Sequence, residues 1–191
     1  DFDQIKKEID FVNKHHIQVL VKGFSAYPQR LEHCIDSPYI LYYKGNANLN
    51  VDKIISIVGT RTPTEYGREM VTELIANLLS HDVLVISGLA YGIDTTVHKE
   101  AVKNKLPTVA VLGHGFEFLY PFANKDLAES MISNGGLLTE FAYSTKPDKQ
   151  NFPRRNRIVA GMSDAMASKV IARACENASS ASLSSVSRYT H

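Results

Sequence analysis

Apolar positions recur along the chain with two different periods, and the period identifies the elements. In residues 1–16, Ile5, Ile9 and Val12 recur at helical spacing with charged residues between them, which predicts a helix. Residues 17–21 read as a short strand, Tyr27-Pro28-Gln29-Arg30-Leu31 as a brief helical turn, and residues 39–43 as a second strand ended by Lys44-Gly45. We read residues 1–50 as an N-terminal appendage, with residues 46–50 as its linker.

Beyond residue 50, apolar runs at 54–58, 83–86, 108–112 and 137–138 alternate with helical patterns. The first three runs are short, partly β-branched and followed by Gly or Ser-Gly. Across residues 64–80, Tyr66, Met70, Leu74 and Leu78 fall one per turn, backed by Val71, Ile75 and Leu79. Apolar strands alternating with amphipathic helices predict an α/β domain over residues 51–166, a mostly parallel sheet flanked by helices. Ligands of such sheets bind beyond the carboxyl ends of the strands, so the residues just after each run are the candidates for function. Residues 167–191 include a Ser- and Ala-rich stretch at 177–187 with little periodicity, which predicts a loose tail.

Composition narrows the chemistry. The net charge is only +1 over 191 residues, so there is no overall basic field, and an anionic polymer would have to be held by locally concentrated cations. Cys34 and Cys175 form no CxxC, and no histidine cluster stands at ligand spacing. We therefore expect neither a disulfide framework nor a metal site, no cofactor, and a reducing, cytoplasmic setting. No apolar stretch approaches the roughly 18 residues of a membrane span. The start, Asp1-Phe2-Asp3, lacks both a signal-peptide pattern and a Met, so the true N-terminus is expected upstream.

Four segments carry candidate chemistry. Gly59-Thr60-Arg61 follows the first run; Thr62 is expected to cap the next helix, with Pro63 at its first position and Glu65 completing a capping box. Gly59 would let backbone approach an anion at the helix N-terminus, and the planar Arg61 fork matches phosphate, although the same residues suit a tight turn with a solvated arginine. Ser87-Gly88-Leu89-Ala90-Tyr91-Gly92-Ile93-Asp94 reads as a second phosphate cradle, with Asp94 as a helix cap. It is neither a G-x-G-x-x-G fingerprint nor a Walker loop, and no G-x-S-x-G elbow makes Ser87 a nucleophile. Gly113-His114-Gly115 leads to Tyr120-Pro121 and to Lys125, which could neutralise a phosphate; His114 reads as a loop residue rather than a proton carrier. Finally, residues 151–161 place Arg154, Arg155 and Arg157 just after Pro153, read as a helix start. The helix dipole disfavours cations there by roughly 0.3–1 kcal/mol each, which a bound polyanion would offset. The alternative is an internal salt-bridge cluster with residues such as Glu140 and Asp164.

Together these segments resemble the DNA-processing protein A (DprA/Smf) family. The matching pieces are Tyr27-Pro28 with Leu31, residues 38–45, IVGTR at 57–61, SGLAYGID at 87–94, VAVLGHG at 109–115 with Tyr120-Pro121, GGLLTE at 135–140 and FPRRNRIVAG at 152–161. The resemblance implies a Rossmann-like fold that binds single-stranded DNA, forms a homodimer and loads the RecA recombinase during natural transformation. Carried over residue by residue, it points to Arg61, Ser87, Gly88, Gly92, Lys125, Asn156 and Arg157 as phosphate-side contacts, to which the dipole argument adds Arg155. Tyr91, Phe116 and Phe118 could stack on bases or pack against the sheet. After Asp164-Ala165 the chain departs from the family pattern, which continues with an apolar strand, so the resemblance does not carry over the last strands, the dimer surface or any winged-helix module. Two other readings remain open: a nucleotide-processing enzyme resembling phosphoribohydrolases, of whose PGGxGTxxE motif GGLLTE is a poor version, and an interaction scaffold with vestigial loops.

Overall fold

Alternation at period two lets the central strands cover both faces of one sheet. The computed structural model describes residues 2–168, so the expected loose tail lies almost wholly outside the described residues. In β3 (Ile54–Ile57), β4 (Leu84–Ser87) and β5 (Thr108–Val111), the residues Ile54, Leu84, Ile86, Val109 and Val111 face one buried cluster. Ile57, Val85 and Ala110 face the other side. The first face is covered by Ile158 and Val159 of α6 (Asn151–Gly161) and Leu31 of α2 (Gln29–Glu32). Against the second pack Val71 and Ile75 of α3 (Glu65–Leu78), Val97 and Ala101 of α4 (Ile93–Lys103), and Ala128 and Met131 of α5 (Lys125–Met131).

The sheet has seven strands in the order β1-β2-β6-β5-β4-β3-β7, with β1 Gln18–Val21, β2 Ile40–Gly45, β6 Gly135–Thr139 and β7 Ala165–Ala167. Pairing is parallel from β6 through β7, and antiparallel where β2 meets β6 and β1 meets β2. The expected mostly parallel, helix-flanked Rossmann-like sheet is therefore present.

Three expectations are corrected. Residues 18–45 continue the sheet rather than standing apart as an appendage. Leu41 and Tyr43 pack in the same cluster as Ile54 and Leu84, and the Tyr43 hydroxyl donates to the Gly135 carbonyl at 2.8 Å. An isolated two-strand piece of this size could not bury its apolar side chains, so it borrows the free edge of β6. Second, a last strand does form after Asp164: Ala165–Ala167 pairs with β3, its small side chains giving little periodic signal. Third, Thr62 does not cap α3. Its N–H bonds the Thr60 hydroxyl at 3.2 Å in a tight local turn, and the cap is Thr64, whose Oγ1 accepts from Gly67 N at 3.2 Å. Glu65 then pairs with Arg68 at 3.1 Å instead of completing a box. The expected first helix is α1 (Phe2–Lys14), but only Val12 of its apolar positions is buried.

Candidate functional site

The loops after β3, β4 and β5 meet at the carboxyl end of the sheet, packed backbone against backbone. Gly92 has φ +84°, and a Cβ there would lie 2.3 Å from the Thr60 carbonyl oxygen. The Ile93 N–H donates to that carbonyl at 3.1 Å, and the Thr95 N–H to Ala90 at 3.1 Å, so the first turn of α4 is partly satisfied from within. Asn124 ties in the third loop, its Nδ2 donating to the Leu89 carbonyl at 3.0 Å and to Thr95 Oγ1 at 2.8 Å.

Beneath these loops lies a buried polar layer. Ser87 has no exposed surface, and its hydroxyl donates to the Ile57 carbonyl at 2.6 Å, joining β4 to β3. The Arg155 guanidinium lies directly under Gly88, where a Cβ would meet it at 2.4 Å. Its Nη1 donates to the carbonyls of Gly88, at 2.6 Å, and of Val111, and its Nε to Asn156 Oδ1 at 3.0 Å. Arg155 is therefore a buried cross-tie rather than the outward-facing cation expected. The reason is local: α6 begins at Asn151, two residues earlier than read, so Arg155 falls in the second turn and points into the sheet. The dipole field that motivated the expectation has faded by that point. Asp94 does not cap α4 either, because Gly92 is the N-cap. Its carboxylate is buried and accepts from the Ala90 N–H at 3.4 Å. Burial pushes the Asp94 carboxyl above its ordinary range, against the pull of Arg155. Burial likewise lowers Arg155, against the pull of Asp94.

Arg157 joins the internal ion cluster that was the alternative to an anion site. Its Nη2 lies 2.6 Å from Glu140 Oε2 and its Nε 3.5 Å from Asp36, while the exposed Arg154 reaches the same Glu140 oxygen at 3.7 Å. Asp164 belongs to a different pair. Partial burial would raise it, but hydrogen bonds from Arg30 and the Ile54 N–H hold it below the ordinary range. Lys125 is exposed at the start of α5, 3.9 Å from Glu129.

The outer surface is formed by Arg61 and three aromatic rings. The Arg61 guanidinium lies 5.5 Å from the Phe152 ring centroid. Phe152 is 5.7 Å from Tyr120, which meets Tyr91 edge-on at 6.3 Å. Tyr91 and Tyr120 are 47% and 42% exposed. Of the aromatics singled out in the sequence, Tyr91 lies on this rim, Phe116 packs against the apolar cluster of Leu89 and Leu112, and Phe118 is half-buried. Sequence reasoning passed over Phe152 and Tyr120 as ring surfaces, although both stand in the quoted motifs; each is flanked by a proline that drew attention to backbone instead. The arrangement offers the exposed Arg61 guanidinium, exposed Asn156 and a line of ring faces, a set able to hold a phosphate backbone and unstacked bases.

Comparison with known proteins identifies the family of the chain. Residues 18–187 match the family model described as DNA recombination-mediator protein A, a match that runs on through the stretch read as departing from the family. DNA processing protein DprA of Bacillus subtilis is 40% identical over 139 residues, 72% of this chain and 47% of its own length. DprA of Streptococcus pneumoniae is 38% identical over 137 residues, 72% of this chain and 48% of its own. The chain thus spans about half the length of these curated relatives. The crystal structure of S. pneumoniae DprA superposes with a TM-score of 0.80 at 32% identity, covering 92% of this chain and 64% of that one. DNA processing protein A from Helicobacter pylori, described for its single-stranded DNA binding mode, gives 0.71 at 27% identity, covering 81% and 70%. With its motif-bearing loops gathered at one end of the sheet and so much of its length matched, the chain belongs to the DNA recombination-mediator protein A family, that of DprA and Smf.

Proposed function

We propose that this chain binds single-stranded DNA across the carboxyl end of its sheet, without catalysis. The observation that carries this reading is Arg61 stationed over Phe152, with Tyr120 and Tyr91 extending the ring surface. A guanidinium beside exposed rings suits a strand whose phosphates and bases are both accessible, whereas duplex DNA hides its bases in a stack. Arg61, Asn156 and the backbone at Gly88 and Gly92 make the phosphate-side contacts. Ser87 and Arg155 support them from below. Lys125 and Arg157 already have carboxylate partners, so a phosphate at either has to displace an ion pair, and their share is smaller. Following the family, we assign the protein to DNA uptake in transformation, acting as a cytoplasmic homodimer that hands single strands to the RecA recombinase.

The test is anisotropy of labelled oligo-dT against a duplex of equal length, over a range of salt. Single strands are expected to bind more tightly, and Arg61→Ala to lower the slope of log affinity against log salt by about 0.7 for its one phosphate. Equal affinity for both forms counts against the proposed surface. Turnover of ATP or a nucleoside monophosphate by the pure protein, lost in Arg61→Ala, overturns the non-catalytic reading.

A further inference from the structure

His114 has no exposed surface, yet both ring nitrogens are engaged by the loop that carries Tyr120. Nε2 accepts the Tyr120 N–H at 3.1 Å, which requires a lone pair on that nitrogen. Nδ1 faces the Gly115 carbonyl at 3.0 Å and so carries the proton. The base of the loop is fixed independently, by Gly115 N to the Thr145 carbonyl at 2.8 Å and Glu117 N to the Tyr143 carbonyl at 3.0 Å. Among the described residues, the hydrogen bond made by the Tyr120 N–H is the one to this imidazole. Beyond Tyr120, the ring stands on the rim between Tyr91 and Phe152.

We propose that neutral His114 is a positioning residue, holding Tyr120 on the rim so that its ring can stack on a nucleobase. The inference rests on the single-stranded DNA reading above. Protonation would set an N–H on Nε2 against the Tyr120 N–H, and the bond would be lost. The surroundings oppose that proton. Burial and the Arg155 charge lower the His114 pKa from its ordinary value, while the bond to Gly115 works the other way. Arg155 of α6 is the charged group bearing on the ring; from the end of β6, Thr139 contributes only a hydroxyl, which donates to the His114 carbonyl at 2.8 Å. The neutral arrangement is thus complete above the ordinary histidine value and fails only as pH falls through the lowered one.

Two probes of equal length separate stacking from phosphate binding: labelled oligo-dT and an abasic deoxyribose-phosphate oligomer. Tyr120→Ala, at an exposed position, is expected to weaken oligo-dT binding about tenfold, within the range for one stacked base, and to leave the abasic affinity unchanged. His114→Ala should reproduce that pattern. His114→Gln should restore binding, because its amide can accept from Tyr120 and donate to Gly115. Lowering the pH should remove the same tenfold from the wild type but not from His114→Gln. Should His114→Ala fail to fold, Tyr120→Ala and the pH profile of His114→Gln decide the matter. Unchanged oligo-dT affinity in Tyr120→Ala, or equal losses on both probes in folded His114→Ala, overturns the proposal. Wild-type protein that binds neither probe defeats the DNA reading itself, and this inference with it.

Discussion

Arg61 and Arg155 carry the same charge at the same end of the sheet, but their environments give them opposite expected phenotypes. Arg61 is exposed, so Arg61→Ala should change stability by no more than about 0.5 kcal/mol while weakening DNA binding. Arg155→Leu removes the donor to two buried carbonyls and leaves Asp94 without its compensating charge, so it should cost about 3–5 kcal/mol in denaturant unfolding. A stable Arg155→Leu protein with altered salt dependence would return Arg155 to the role of a direct phosphate contact. His98 gives a second residue-scale prediction. The Thr108 hydroxyl donates to the Val85 carbonyl, so His98 Nδ1 must donate to Thr108 Oγ1, and the buried Nε2 has no partner among the described residues. Burial, reinforced by Arg155, lowers the His98 pKa to about 3. Because the unfolded chain takes up that proton first, stability should be complete above the ordinary value of about 6.5 and fall toward pH 3, by about 1.4 kcal/mol per pH unit from this group. His98→Leu should flatten that part of the stability curve measured by urea unfolding at several pH values.

At the scale of elements, the site depends on how two helices begin. The N-cap of α4 is Gly92, whose positive φ and 2.3 Å approach to the Thr60 carbonyl leave no room for a side chain. Gly92→Ala is expected to destabilise the fold by more than about 2 kcal/mol and to weaken DNA binding, since two loops must move apart. Thr64→Ala should cost about 1 kcal/mol of thermal stability through the lost cap of α3, without touching the rim; a loss from Thr62→Ala instead would reverse that assignment. The helices themselves were legible in their apolar spacing, but their first residues were not. Thr62-Pro63-Thr64-Glu65 contains two threonines able to cap, and the turn closed by Thr60 decides between them. Pro153 signalled a helix start, yet α6 begins at Asn151, since proline, although favoured at the first position, is tolerated within the first turn, where its missing N–H has no partner to lose.

Across the whole molecule, the sheet is a single seven-strand body to which residues 18–45 contribute the antiparallel end. Cutting the chain at residue 50 should therefore not release a stable remainder. It would strip β2 from the edge of β6, where Tyr43 pairs with Leu138, and remove Leu31, Leu41 and Tyr43 from the buried cluster, so a fragment starting at residue 51 is expected to show a broadened, non-cooperative melt. A fragment melting as sharply as the full chain would restore the boundary expected from the linker-like composition of 46–50.

Apolar period and loop composition by themselves determined the alternating strands and helices, the parallel order they imply and the end of the sheet where the motifs gather. These are local or near-neighbour properties, written in consecutive residues. Only the tertiary structure decided which cations meet solvent. Arg155 is taken up by Gly88, 67 residues away, and Arg157 by Glu140, 17 away, whereas Arg61 is left at the surface against Phe152. A guanidinium reads the same in sequence whether it faces water or a ring of carbonyls. Its role follows from which desolvated partners the folded chain brings to it, and those partners lie at the ends of strands remote in sequence.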